Sequence, residues 1–194
     1  MNIDPTMYEQ RCAIAGQPGL VIWLTGLSGA GKSSIAQVLE RRLLEEKKLV
    51  YRLDGDMLRT GLNSDLGFSK QDRDENIRRI AEVAAILQDA GIIVLVSAIS
   101  PYQAMRDYAR KRIRENCYVE VYVYADLATC KERDPKGLYE KAMRGEIPDF
   151  TGVSAPYEEP LSPELTIDTT LMSIEDSAEK VLALVRPKIT REKF

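Results

Sequence analysis

Leu20-Val21-Ile22-Trp23-Leu24-Thr25-Gly26-Leu27-Ser28-Gly29-Ala30-Gly31-Lys32-Ser33 is the stretch on which the fold turns. Its first six residues form an apolar run bounded by Gly19 and Gly26, the pattern of a strand buried in a parallel sheet. Gly26 to Ser33 then fits GxxxxGK[ST] at every fixed position, with a strand before it and helical spacing after it. Glycines let the backbone curl so that successive N–H groups point inward at phosphate oxygens. The helix N-terminus adds its partial positive charge. Gly26, Ser28, Gly29, Ala30, Gly31, Lys32, Ser33 and Ser34 are therefore read as a nucleotide cradle. Lys32 would reach the β- and γ-phosphates, and the Ser33 hydroxyl would ligate Mg²⁺. The motif implies a nucleoside triphosphate and leaves the reaction open.

Outward from this stretch, apolar residues at Ile35, Val38, Leu39, Leu43 and Leu44 give helical spacing over residues 32–47. Residues 49–53 read as a second strand running into Asp54-Gly55-Asp56. Residues 72–90 read as a long helix closed by Gly91. Residues 92–97 form a third, apolar strand, and 103–115 a charged amphipathic helix. Residues 118–124 alternate and are rich in β-formers, which makes a fourth strand. Residues 164–168 give a fifth, and 173–185 a closing helix with Ser173 as N-cap and Asp176 at its third position. Residues 131–163 are rich in charge, Gly and Pro, with little periodicity. A connection of that length in a compact domain reads as a lid or binding loop. Residues 1–18 read as an irregular lead-in broken at Pro5, Gly16, Pro18 and Gly19. Strands alternating with helices imply an α/β fold, a parallel five-stranded sheet with helices on both faces. Ligands of such folds sit at the carboxyl ends of the strands. The glycine turn, Asp54 to Asp56 and Ser97 to Ser100 all fall at that edge.

The chain has 194 residues, 44% of them hydrophobic, enough for one domain with a full core. Net charge is −3 with the signs interspersed, so no nucleic-acid partner is indicated. Cys12, Cys117 and Cys130 lack metal or disulfide spacing, which points to a reducing cytoplasm. Neither a signal peptide nor a membrane span is read in the sequence. Histidine is absent from the chain, which excludes a Ser-His-Asp triad, a His base and His-ligated zinc. Any general base must be a carboxylate, a lysine or water.

The third strand ends in Ser97, with no acidic residue. The carboxylates stand instead at Asp54 and Asp56 after the second strand. One could hold Mg²⁺ and the other orient an acceptor hydroxyl. An Asx-turn or helix cap explains the same spacing almost as well. Arg73, Arg78 and Arg79, on spacing alone, read as a solvated helix face pairing with Asp72, Asp74 and Glu75.

Taken together, the motifs resemble the adenylyl-sulfate kinases, P-loop kinases that act on a nucleotide. The resemblance runs from about Gly19 to Pro160. It includes the opening stretch, Leu53-Asp54-Gly55-Asp56 with Arg59, and Gly61-Leu62-Asn63. It continues through Asp65-Leu66-Gly67-Phe68-Ser69, Asp72-Arg73 and Glu75-Asn76-Ile77-Arg78-Arg79, then Ile99-Ser100-Pro101-Tyr102. Asp134-Pro135-Lys136-Gly137-Leu138-Tyr139, Gly145-Glu146-Ile147, Asp149-Phe150-Thr151-Gly152 and Pro156-Tyr157-Glu158-Glu159-Pro160 complete it. The resemblance implies that 19–194 is a single P-loop kinase domain using ATP and Mg²⁺. The reaction implied is γ-phosphoryl transfer to the 3′-hydroxyl of adenylyl sulfate. Lys32, Asp56, Asp54 and Lys136 would be catalytic, with Ser33 and Asp54 on the metal. Asp56, Arg59, Arg73, Asn76, Ile99, Ser100, Lys136 and Leu138 would line the substrate site. Phe68 and Phe150 would sandwich its adenine, and Arg133 would stack on that of ATP. Arg78 and Arg79 receive no role. Ser100 matches a serine that some members phosphorylate in a side reaction.

Ala98, Val50 and Ser154-Ala155 depart from the family pattern, and none is a residue assigned to chemistry. The resemblance allows a homodimer, and fusion to or association with ATP sulfurylase. Two other readings stand beside it: a kinase of another hydroxyl, and a nucleotide-binding module without turnover. The aromatic pair speaks against the first, and the presence of Lys32, Asp56 and Lys136 against the second.

Overall fold

The computed structural model describes residues 5–190, which form eight helices and five strands. Helix α1 (Pro5–Ala15) is followed by β1 (Leu20–Thr25), α2 (Lys32–Glu45), β2 (Val50–Asp54) and the single turn α3 (Gly55–Leu58). Then come α4 (Lys70–Asp89), β3 (Ile93–Ser97), α5 (Gln103–Arg112), β4 (Tyr118–Tyr124) and the short helices α6 (Leu127–Arg133) and α7 (Leu138–Met143). β5 (Leu165–Asp168) and α8 (Ile174–Ile189) close the chain.

The strands are all parallel, in the order β2-β3-β1-β4-β5. β1 lies in the middle with Ile22 opposite Leu95 on one side and Val119 on the other. All six of its residues are buried, as a strand covered on both faces requires. Leu20, Ile22 and Leu24 face α2 and α8, meeting Ile35, Leu39, Val181 and Val185. Val21 and Trp23 face α4 and α5, meeting Ile77, Ile80, Ala84 and Met105. The period of two in the strands and of 3.6 in the helices thus builds two cores on one sheet.

Two expectations change. The lead-in is not irregular: α1 occupies Pro5–Ala15, while residues 1–4 of that reading lie outside the described residues. Pro5 opens the helix, where its fixed φ is favourable, and Gly16, at φ 69°, closes it. The helix was illegible because its apolar residues do not gather on one face. Gln17 fastens it, donating to Leu49 O (2.7 Å) and Gly91 O (3.1 Å). The lid, second, contains helical structure. Asp134 accepts from the N–H groups of Leu138, Tyr139 and Glu140 and so starts α7. The strand β4 alternates although both of its faces are covered. Its polar member Glu120 is 3% exposed.

Glu120 meets a fully buried cation there. Arg106 Nε lies 3.0 Å from Glu120 Oε1. Its Nη1 donates to Ser100 O (2.6 Å), and its Nη2 to Glu158 O (2.7 Å). One guanidinium therefore joins α5, β4, the loop after β3 and the end of the lid. Breaking a buried pair strands a charge, whereas breaking a solvated pair does little. Glu120→Leu should lower unfolding free energy by about 3–5 kcal/mol in urea titrations. Arg144→Ala, which removes an exposed partner of Glu140 and Glu146, should change it by under about 0.5 kcal/mol.

Candidate active site

The chain leaves β1 toward β2 on one flank of the sheet and later crosses to β4 on the other. A crevice opens at the carboxyl ends of the strands where the direction of winding reverses. A cavity of about 990 Å³ occupies it. The glycine turn forms its floor, α3 and α4 one wall, the β3–α5 loop a second, and residues 133–151 its cover.

The turn is held by close backbone approach. Gly26, Gly29 and Gly31 have φ of 142°, 77° and 101°. A Cβ on Gly26 would stand 2.1 Å from Val123 O, so only glycine lets β1 turn beside β4. Lys32 folds back along the turn and donates to Gly26 O (2.9 Å) and Leu27 O (2.7 Å). Burial is the main force on its ammonium and lowers its pKa to about 8, against a smaller opposing pull from Cys130 and Asp56. Ser33 Oγ donates to Asp54 Oδ2 (2.7 Å) and lies 3.0 Å from Ser97 Oγ.

The capping reading of the first carboxylate is met, and its second oxygen turns toward the cradle. Asp54 Oδ1 accepts from the Asp56 N–H (3.0 Å) and caps α3, while Oδ2 faces Ser33. Burial pushes its pKa up, but the Ser33 and backbone hydrogen bonds outweigh that and hold it below the usual range. Ionised oxygens beside a serine hydroxyl suit a hard cation such as Mg²⁺. Asp56 stands exposed at the mouth and pairs with Lys136 Nζ from the lid.

The residues expected on the substrate side also converge. Arg59 stacks over the Phe68 ring at 4.5 Å and donates to Gly67 O (2.9 Å). Asn76, on α4, accepts from Asn63 Nδ2 (3.0 Å). Phe68 is half exposed, whereas Phe150 is buried with its ring edge-on to Tyr139 at 5.0 Å. Ile99, Lys136 and Leu138 border the same cavity.

Several expected residues do different work from a free binding group. Arg73 donates to Phe68 O (2.9 Å), Thr151 Oγ1 (3.0 Å) and Asp149 O (2.6 Å), so its guanidinium fastens the walls. Ser100 is 1% exposed, with its hydroxyl accepting from Trp23 Nε1 (2.9 Å) and donating to Ala98 O (3.2 Å). Arg133 is pinned by Thr169, donating to its Oγ1 (2.9 Å) and O (2.8 Å). Gly26, Ala30 and Asp54 stand behind the cavity wall, while Ser28, Gly29, Gly31, Ser33 and Ser34 are on it. Arg78 and Arg79 pair with Glu75 on the solvated face, and Arg79 also with Asp65.

Sequence reasoning missed Thr169, which also donates to Ala30 O (2.9 Å) and so braces the turn. Its signal was position, one residue past the fifth strand on the carboxyl edge. Met172 and Ile174 line the cavity without any sequence mark, and Thr151, which stood in a quoted motif without a role, lines it too.

A parallel sheet in this order, whose central strand turns into a lysine-bearing phosphate cradle under a lid, defines a P-loop kinase. The chain belongs to the adenylylsulphate kinase family, whose sequence profile matches residues 18–168. The adenylyl-sulfate kinase of Staphylococcus epidermidis is 50% identical over 92% of this chain and 89% of its own length. That of Geotalea uraniireducens is 53% identical over 88% and 82% respectively. The structure of the Mycobacterium tuberculosis APS kinase CysC in complex with AMPPNP and APS superposes with a TM-score of 0.83. It is 48% identical, over 87% of this chain and 98% of that one.

A phosphate-binding role for Lys32 predicts a pH-dependent nucleotide affinity. Its ammonium is charged below about pH 8 and lost above it, and only the charged form pairs with phosphate. Calorimetric affinity for ADP should be level up to that pH and then fall by about tenfold per pH unit. Lys32→Met should bind more weakly and show no break at that pH.

Proposed function

We propose that this chain transfers the γ-phosphoryl group of ATP to the 3′-hydroxyl of adenylyl sulfate, giving 3′-phosphoadenylyl sulfate and ADP. The observation that carries the reading is Asp56 at the cavity mouth, paired with lid residue Lys136 and facing the Lys32 cradle. Asp56 orients the acceptor hydroxyl and receives its proton as the new O–P bond forms. The bond from the γ-phosphorus to the β–γ bridging oxygen breaks, and ADP leaves with that electron pair. The step asks little of Asp56 as a base, because the loose transition state demands positioning more than proton abstraction.

Ser33 and Asp54 would hold Mg²⁺, supported by their converging oxygens. The bound metal would neutralise charge on the β- and γ-phosphates. Lys32 and Lys136 supply further positive charge from opposite sides of the cavity. Arg59 and Asn76 contact the substrate, and Arg73 adds to this while fixing the walls. Phe68 and Phe150 close on its adenine, for which Phe150 must leave or share its packing on Tyr139. Arg133, held flat by Thr169, offers its face to the ATP adenine. The lid excludes water, which would otherwise compete as acceptor. Residues 19–194 act as a single kinase domain, with 191–194 outside the described residues. A homodimer, association with ATP sulfurylase and a cytoplasmic location fit the family resemblance and the three free cysteines. No helix among the described residues is long and apolar enough to cross a membrane.

ADP release should be measured with MgATP against adenylyl sulfate, AMP, adenosine and gluconate. Turnover is expected with adenylyl sulfate alone, and Asp56→Ala should lower kcat by about 10²–10⁴. ATP binding without turnover on adenylyl sulfate would overturn the reading.

A further inference from the structure

Between β2 and α4 the chain makes an exposed excursion over residues 59–69 that carries Arg59 and Phe68 to the site. Among the described residues of that excursion, Asn63 alone is buried, at 0% exposure. An anchor of this kind is ordinarily apolar, because burying an amide without full hydrogen bonding costs stability. Asn63 is not fully bonded: its Oδ1 has no hydrogen-bond partner among the described residues. Its Nδ2 donates to Asn76 Oδ1 (3.0 Å). The main chain around it is already fixed, with its N–H donating to Leu58 O (2.9 Å) and its carbonyl accepting from the Leu66 N–H (3.1 Å). The side chain is not needed to shape the turn.

From this juxtaposition we propose that Asn63 is a positioning residue that determines which end of the Asn76 amide faces the substrate. An amide has a donor end and an acceptor end, and they cannot be told apart by shape. Engaging the Asn76 oxygen from behind leaves its NH₂ for the cavity, beside the cations Arg59 and Arg73. These three side chains then present donors only. The set suits the oxygens of a phosphosulfate or ribose, and it would oppose them if the amide were reversed. The orphaned Asn63 oxygen agrees with this orientation. In the reversed pair the buried orphan would be an N–H, which folded proteins tolerate less well than an unpaired carbonyl.

The inference rests on Asn76 as a substrate contact, and three variants separate the two ideas. Asn63→Asp keeps the shape and, when ionised, can only accept, so it draws the Asn76 NH₂ inward. Asn63→Leu keeps the burial and removes the donor. Asn76→Ala removes the contact itself. In steady-state assays, Asn63→Asp should raise KM for adenylyl sulfate by about tenfold or more. KM for ATP should hold, and kcat should change far less. Asn63→Leu should give a smaller rise in the same KM while thermal stability holds or increases. In the Asn76→Ala background, Asn63→Asp should add nothing further to KM. Unchanged KM in both Asn63 variants, with KM raised by Asn76→Ala, would overturn the positioning role and leave Asn76 as a substrate contact. Parallel shifts in both KM values and in stability would make Asn63 structural only, and would overturn the positioning role in the same way. No effect of Asn76→Ala would overturn both ideas.

Discussion

Everything at the active edge is referenced to β1. Its six buried residues lie between β3 and β4, and the chain must leave this strand without colliding with either neighbour. The solution is Gly26, which passes so close to Val123 O that a side chain is impossible there. That one contact sets the path of the phosphate cradle, and through it the position of α2. The other strands then deliver Asp54, Ser97 and Thr169 to the same height, and all three are hydrogen-bonded to the cradle or to Ser33. In a parallel sheet every strand ends on the same edge, so a fixed turn on the central strand organises polar groups from its neighbours.

The charged groups follow a consistent division. Those facing the protein interior are matched, as Arg106 is by Glu120, Ser100 O and Glu158 O. The two lysines facing the cavity are held by provisional partners. Lys32 occupies carbonyls of its own turn, and Lys136 takes Asp56 across the mouth. Neither lysine partner is a deep carboxylate, so an arriving polyphosphate competes with weak local contacts rather than a buried ion pair.

The sheet, the order of elements and the cradle were legible because their signals are local: an all-apolar strand, a glycine spacing, helical periodicity. Ser173 was readable as a cap, and its hydroxyl does accept from the Asp176 N–H. The helix Pro5–Ala15 was not legible, since it lacks an apolar stripe and its breakers turned out to be its ends. Strand order also escaped the sequence, because it depends on which crossovers pack together. At the site, residue type marked Asp54, Asp56 and Lys32. It could not show that Arg73 is occupied by Phe68 O, Asp149 O and Thr151, or that Phe150 is folded onto Tyr139. Most of these contacts join segments far apart in the chain, where local patterning carries no signal.

The three bonds from Arg73 have a mechanical corollary. The Phe68 turn and the stretch from Asp149 to Thr151, which carries Phe150, are tied to a single post on α4. Neither aromatic wall can swing away alone without loosening the shared latch. Opening the Phe68 side costs one bond from Arg73 and opening the Phe150 side costs two, so one side chain holds the two walls shut to unequal degrees.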